Sequence, residues 1–114
     1  MRIFKSFGYA IAGIRSCIQT QPNFRIHILG YIFMNLSAWY IDFETWEYVV
    51  CTILSALVFS FELINTALEA AVDISSPEIQ PLAKVAKDSA AASVFIIALC
   101  AVVVWLLIVC HHMC

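Results

Sequence analysis

Glu62, Asn65, Glu69 and Asp73 follow one another at spacings of +3, +4 and +4. At ~100° per residue these four side chains fall within roughly an 80° arc of one helix face. Hard cations such as Mg²⁺ take oxygen ligands, usually one or two carboxylates completed by phosphates and water. Two carboxylates about two helical turns apart divide labour, one on the metal and one as general base. Lys87 and Asp88 extend the set: a lysine neutralises phosphate oxygens, and an acid orients them or holds a second metal. The combination suits phosphoryl transfer. Two blander readings stand beside it. Asn65 and Thr66 alone would be hydrogen-bonding glue between helices, though acceptor-only carboxylates are a costly way to make glue. A proton or cation path is the other, but Val49 to Ser60 carries no ionisable station for it. Neither a G-x-x-x-x-G-K-[ST] loop nor a kinase glycine loop occurs, which excludes those two nucleotide-binding devices.

The elements that must position these groups are membrane helices. Hydrophobic residues make up 63% of the 114 residues and charged ones 12%, about half the usual charged share. Mean hydropathy is +0.93. So few charges cannot cover the surface of a small water-soluble fold, so the solvent is lipid. The net charge of −2 comes with no basic patch, which gives nucleic-acid binding no support. Cys17, Cys51, Cys100, Cys110 and Cys114 are dispersed and read as small hydrophobes. No cleavable signal peptide is apparent.

Residues 1–20 show apolar side chains at helical rhythm (Ile3, Phe4, Phe7, Ala10, Ile11, Ile14) with Arg2, Lys5 and Arg15 mostly elsewhere. That pattern predicts a helix lying in the membrane surface, ended or bent by Pro22. Three spans follow, at about 24–43, 46–74 and 88–110, within one domain over 1–114. Ser75-Ser76-Pro77 should break the chain, and Pro81 should start a short helical lead into the last span. The small residues Ser89 to Ser93 would let that span pack on the Ala67, Ala70, Ala71 side of the second. The tail Cys110-His111-His112-Met113-Cys114 reads as a frayed end. The expected fold is thus an all-α membrane protein, a surface helix plus three transmembrane helices. All six Lys and Arg lie before the first span or between the second and third, so the N-terminus should be cytoplasmic and the C-terminus external. Asp73 then lies at the cytoplasmic surface and Glu62 ~15 Å deeper, where a charge needs a partner. Arg15, Arg25, His27, Lys84 and Lys87 are candidates.

The stretch Glu62-Leu63-Ile64-Asn65-Thr66-Ala67-Leu68-Glu69-Ala70-Ala71-Val72-Asp73, followed by Ala86-Lys87-Asp88-Ser89-Ala90, resembles the signature of the prokaryotic diacylglycerol kinase and undecaprenol kinase family. The likeness covers nearly the whole chain, including Gly8-Tyr9-Ala10 and Asn23-Phe24-Arg25-Ile26-His27. It implies a small homotrimeric enzyme of the plasma (inner) membrane, with active sites shared between subunits. Such an enzyme moves the γ-phosphoryl group of ATP, with Mg²⁺, to a membrane lipid alcohol. By position, Glu62 matches the catalytic base and Glu69 a metal ligand. Asn65, Asp73, Lys87 and Asp88 match the surround of ATP and metal, with Glu78 and Gln80 in the adjoining loop, and Arg2 and Tyr9 match positions in ligand contact. Two departures stand out: Gln21 replaces a carboxylate that would share the metal, and Gln80 replaces a nucleotide-contacting histidine. The residues before the first span favour undecaprenol; diacylglycerol, or a non-catalytic subunit or pseudo-kinase, is the alternative.

Overall fold

The computed structural model describes residues 1–76, 78 and 80–114. Pro77, the expected chain breaker, and Ile79 lie outside the described residues. Four helices follow in order: α1 (Arg2–Thr20), α2 (Pro22–Ile41), α3 (Thr45–Ser75) and α4 (Pro81–Met113). Gln21 separates the first two with φ −113° and ψ 104°, the extended backbone that a following proline enforces. Pro22 then opens α2, where a missing N–H costs nothing. On α1 only Cys17 is buried, and Ile3, Phe4 and Phe7 are exposed. A helix with so much unburied apolar surface suits a membrane interface.

Asp42 stops α2 in the left-handed region at φ 73°. The amides of Asp42 and Phe43 both donate to the Ala38 carbonyl, at 3.0 and 2.9 Å, satisfying an end that the helix leaves open. Phe43 turns into the core, 5% exposed, instead of lengthening the span. A capping box then starts α3, with the Glu47 carboxylate accepting from the Glu44 amide at 2.7 Å.

The expected short lead and third span form a single 33-residue helix, since no glycine or proline follows Pro81. Its end is also not frayed. His112 reaches Glu47 at 2.7 Å and lies flat on the Phe43 ring, centroids 5.6 Å apart, so the helix persists to Met113. That pair at one end and Lys87 with Asp73 at the other set α3 and α4 antiparallel. Met34, Ala38, Phe43, Cys51 and Ile108 form the small core between α2, α3 and α4.

By length and composition α3 and α4 can each cross a membrane. At ~1.5 Å per residue α2 is about 30 Å long, also sufficient, but Arg25, His27, Asn35 and Ser37 make it less apolar. One packing expectation fails. Ala67, Ala70 and Ala71 are exposed, and α3 instead buries Glu47, Cys51, Val58, Glu62 and Asn65. Periodicity fixes which residues share a face but not which way that face turns.

Candidate active site

The buried residues of α3 recur at helical spacing, so the carboxylate row is the inner part of one inward-facing stripe. Exposure rises along it. Glu62 is 2% exposed and Asn65 8%, Glu69 is half-buried, and Asp73 is open to water. From Glu62 to Asp73 the helix climbs ~16 Å.

Each end of the row meets a basic side chain from another helix. His27 of α2 places Nε2 3.7 Å from Glu62 Oε2, and both side chains are largely shielded. Lys87 Nζ of α4 donates to Asp73 Oδ1 at 2.7 Å. Hydrogen bonding to Asp73, and its charge, push the Lys87 ammonium above the usual lysine range. Lys84 pairs instead with Asp88 on its own helix at 2.6 Å. Among the described residues Arg15 and Arg25 form no ion pair. Of the five candidate partners, two reach the row.

Between the ends, Asn65 Nδ2 donates to Glu69 Oε1 at 3.2 Å. Asn65 Oδ1 is buried with no hydrogen-bond partner. An orphaned acceptor in a site otherwise well paired calls for a donor or a cation. Oxygens of Asn65 and Glu69 on adjacent turns are the hard donors that Mg²⁺ takes. Three or more His, Cys, Asp or Glu side chains do not cluster as a metal site among the described residues.

The remaining sequence-identified residues stand apart. No side-chain hydrogen bond or ion pair joins Arg2, Tyr9, Gln21 or Gln80 to the row among the described residues. Arg2 and Tyr9 sit on the exposed α1, with Tyr9 74% exposed. Gln80 is the N-cap residue of α4, its carbonyl accepting from the Lys84 amide, and the Glu78 carbonyl accepts weakly from the Ser76 hydroxyl at 3.5 Å.

Sequence reasoning missed two things. The Glu47–His112 pair joins residues 65 positions apart, and only the buried position of Glu47 gives it meaning. The second is a cleft of about 460 Å³ between α2, α3 and α4, which begins at His27 and reaches Trp105. Apart from His27, its walls are mostly aliphatic and aromatic, and α3 contributes Cys51, Ser55, Val58 and Phe59, with Val58 one turn and Ser55 two turns outward from Glu62.

Residues 8–109 match the family described as prokaryotic diacylglycerol kinase. An undecaprenol kinase of Bacillus subtilis is 36% identical over 94% of this chain and 87% of its own length. A diacylglycerol kinase of Synechocystis is 41% identical over 87% of this chain, which spans 57% of that longer protein. The diacylglycerol kinase of Escherichia coli is 30% identical over 97% of this chain and 91% of its own. The row, its two basic partners His27 and Lys87, and the cleft all fall within the matched stretch. The chain belongs to the prokaryotic diacylglycerol kinase family and, with it, is a membrane-bound lipid kinase.

Proposed function

We propose that the chain phosphorylates the hydroxyl of undecaprenol, using ATP and Mg²⁺ at the cytoplasmic side of the plasma (inner) membrane. The observation that carries this reading is the graded row: a dry Glu62 beside the lipid, and a wet Asp73–Lys87 pair beside the nucleotide. A lipid alcohol arrives from the bilayer and a phosphate from water, so a site for both must span that gradient. We place α1 at the membrane surface and α2, α3 and α4 across the bilayer as one domain, the N-terminus cytoplasmic and the C-terminus external.

In this reading Glu62 accepts the proton of the lipid hydroxyl as its oxygen attacks the γ-phosphorus. The bond from that phosphorus to the bridging oxygen breaks, and ADP leaves. His27, 3.7 Å away, holds the carboxylate oriented. Glu69 and the free Asn65 Oδ1 would hold Mg²⁺, which when bound neutralises phosphate charge. Gln21, from a neighbouring chain, would add a neutral oxygen. Lys87, Asp73 and Asp88 would line the ATP phosphates, with Glu78 and Gln80 at the nucleotide's edge and Arg2 and Tyr9 covering the site. The homotrimeric arrangement that the resemblance implies fits this, since among the described residues the last two form no hydrogen bond or ion pair with their own chain's row.

Diacylglycerol is the second acceptor to test, because relatives at 41% and 30% identity are named for it. Protein in mixed micelles with Mg-ATP should transfer labelled phosphate to undecaprenol faster than to diacylglycerol. Glu62→Gln should lower kcat by roughly 10²-fold or more, on the scale of general-base catalysis. Full turnover in that variant overturns the role given to Glu62, and transfer to neither lipid overturns the reading.

A further inference from the structure

Among the described residues two carboxylates face a histidine, and only one of the pairs closes. Glu47 Oε1 and His112 Nε2 meet at 2.7 Å, whereas Glu62 Oε2 and His27 Nε2 stop at 3.7 Å. Burial does not explain the difference, since both carboxylates are 2% exposed and the imidazoles 20% and 21%. A separation of 3.7 Å lets charges pair but is too long for a hydrogen bond. The bonds nearest the gap pass it by: the Thr66 hydroxyl donates to the Glu62 carbonyl at 2.9 Å, and the Asn65 amide to Glu69. Among the described residues neither the Glu62 carboxylate nor the His27 ring forms a hydrogen bond. Buried polar groups are rarely left so, and two that face one another across a gap point to a shared partner.

We propose that the gap holds the oxygen of the acceptor alcohol, with His27 Nε2–H donating to it and its own proton directed at Glu62 Oε2. His27 is then a second catalytic residue, in contact with the reacting oxygen and more than a support for Glu62. This rests on the kinase reading and adds to it how the hydroxyl is recognised.

Reach allows it. An N–H···O bond of ~2.9 Å and an O–H···O bond of ~2.7 Å together exceed the 3.7 Å separation, so one oxygen set off the line touches both. Catalytic hydrogen bonds tighten and align once substrate is bound. Proton inventory agrees. An ionised carboxylate only accepts, so the ring nitrogen that faces it is the one that carries hydrogen. An alcohol oxygen brings one proton and two lone pairs. The proton goes to Glu62, one lone pair to His27, and the other is free for the γ-phosphorus. An ether lacks the proton and a thiol accepts weakly, so the grip is specific for a hydroxyl. Access agrees too. The imidazole is the more open of the two side chains, so an alcohol reaches the carboxylate past His27.

In the transfer, the acceptor O–H bond breaks and its proton passes to Glu62. An electron pair of the oxygen forms the new O–P bond. The bond from the γ-phosphorus to the bridging oxygen breaks, and its pair leaves with ADP. His27 keeps its hydrogen throughout. As the proton departs, negative charge grows on the acceptor oxygen, and a donor aimed at that oxygen holds it more strongly than in the ground state. Loss of the donor therefore falls mainly on kcat.

Intact protein in micelles, with isotope-labelled imidazole nitrogens read by NMR, tests the contact without turnover. The His27 signals are those missing in His27→Gln. A fifteen-carbon prenol and its methyl ether should both shift the His27 Nε2 signal, because each carries an acceptor oxygen. The hydrocarbon of the same length without oxygen should leave it in place. With undecaprenol and Mg-ATP, His27→Ala should lower kcat by roughly 10- to 10²-fold, the scale of one hydrogen bond to a charged group, with KM for ATP unchanged. His27→Gln, whose amide N–H reaches a similar place, should restore part of that rate. Phosphorylation with no oxygen-dependent shift overturns the contact and leaves the kinase reading, as does full kcat in His27→Ala. An oxygen-dependent shift with no lipid phosphorylated upholds the contact and overturns the kinase reading. An equal shift with the hydrocarbon would mean that a chain merely packs beside the ring, and overturns the proposal.

Discussion

A carboxylate that is 2% exposed and a lysine side chain that is 39% exposed stand at opposite ends of the same site, and water treats them differently. The Lys87–Asp73 pair is screened, and surface pairs of this kind add little to stability. Its value lies in charge. Pairing raises the ammonium above the usual lysine range, so the raised group stabilises the fold below the ordinary lysine value. That contribution is lost only as pH climbs through the raised value, and Lys87 stays charged wherever ATP is used. Lys87→Met should therefore lower kcat/KM for ATP by roughly 10²-fold, as losing one transition-state donor does, while shifting thermal unfolding in detergent little. Unchanged kinetics with a lower unfolding temperature would make it a structural residue. The row itself was legible in the sequence because spacing along one helix is local information. His27 was not singled out, because choosing one basic partner among five requires knowing how α2 lies on α3.

At the scale of elements, the start at Pro81 was readable, since a proline at the first helical position has a defined backbone cost and benefit, whereas Pro22, read as the end of the surface helix, also opens α2. The end of α4 was not readable. Its order depends on His112 meeting Glu47 and Phe43, contacts that span most of the chain. The least apolar of the three proposed spans, α2, poses the sharper question, because α3 and α4 alone would return the C-terminus to the side of α2's end. Arg25 is exposed near its start, whereas Asn35, Ser37 and His27 are met internally. Asn35 Nδ2 donates to the Tyr31 carbonyl at 2.9 Å, Ser37 Oγ to the Met34 carbonyl at 2.8 Å, and His27 faces Glu62. A helix whose polar side chains are satisfied this way can span despite its composition. With three spans, the two termini lie on opposite sides. In spheroplasts, an impermeant maleimide should label Cys114 from outside. With Cys110 and Cys114 changed to Ser, Lys5→Cys should react only after the membrane is opened. Labelling of both from outside would leave α2 on the surface.

Taken whole, the molecule is a slab of 53 × 41 × 20 Å in which few side chains are buried. Lipid covers apolar surface well, but it gives helices no hydrophobic reason to associate, so small residues and polar contacts must bring copies together. Ala67, Ala70 and Ala71, left exposed by α4, offer such a face for close approach by a second chain. Incompleteness points the same way: among the described residues Arg2 and Tyr9 form no hydrogen bond or ion pair with the row, and the donors of Asn65 and Glu69 are too few to fill a cation's shell. Three copies sharing sites would supply both. Native mass spectrometry from detergent should then show a species about three times the 12.8 kDa chain, with stability that falls on dilution. Mixing separates sharing from mere association. Glu62→Gln chains and chains carrying both Arg2→Ala and Tyr9→Ala should each be poor enzymes alone. When co-assembled, they should recover activity above the sum of the two, because some sites then draw an intact row from one chain and an intact α1 from its neighbour. If activity stays at that sum while the trimer forms, each chain builds its own site and α1 must fold back over its own row to cover it.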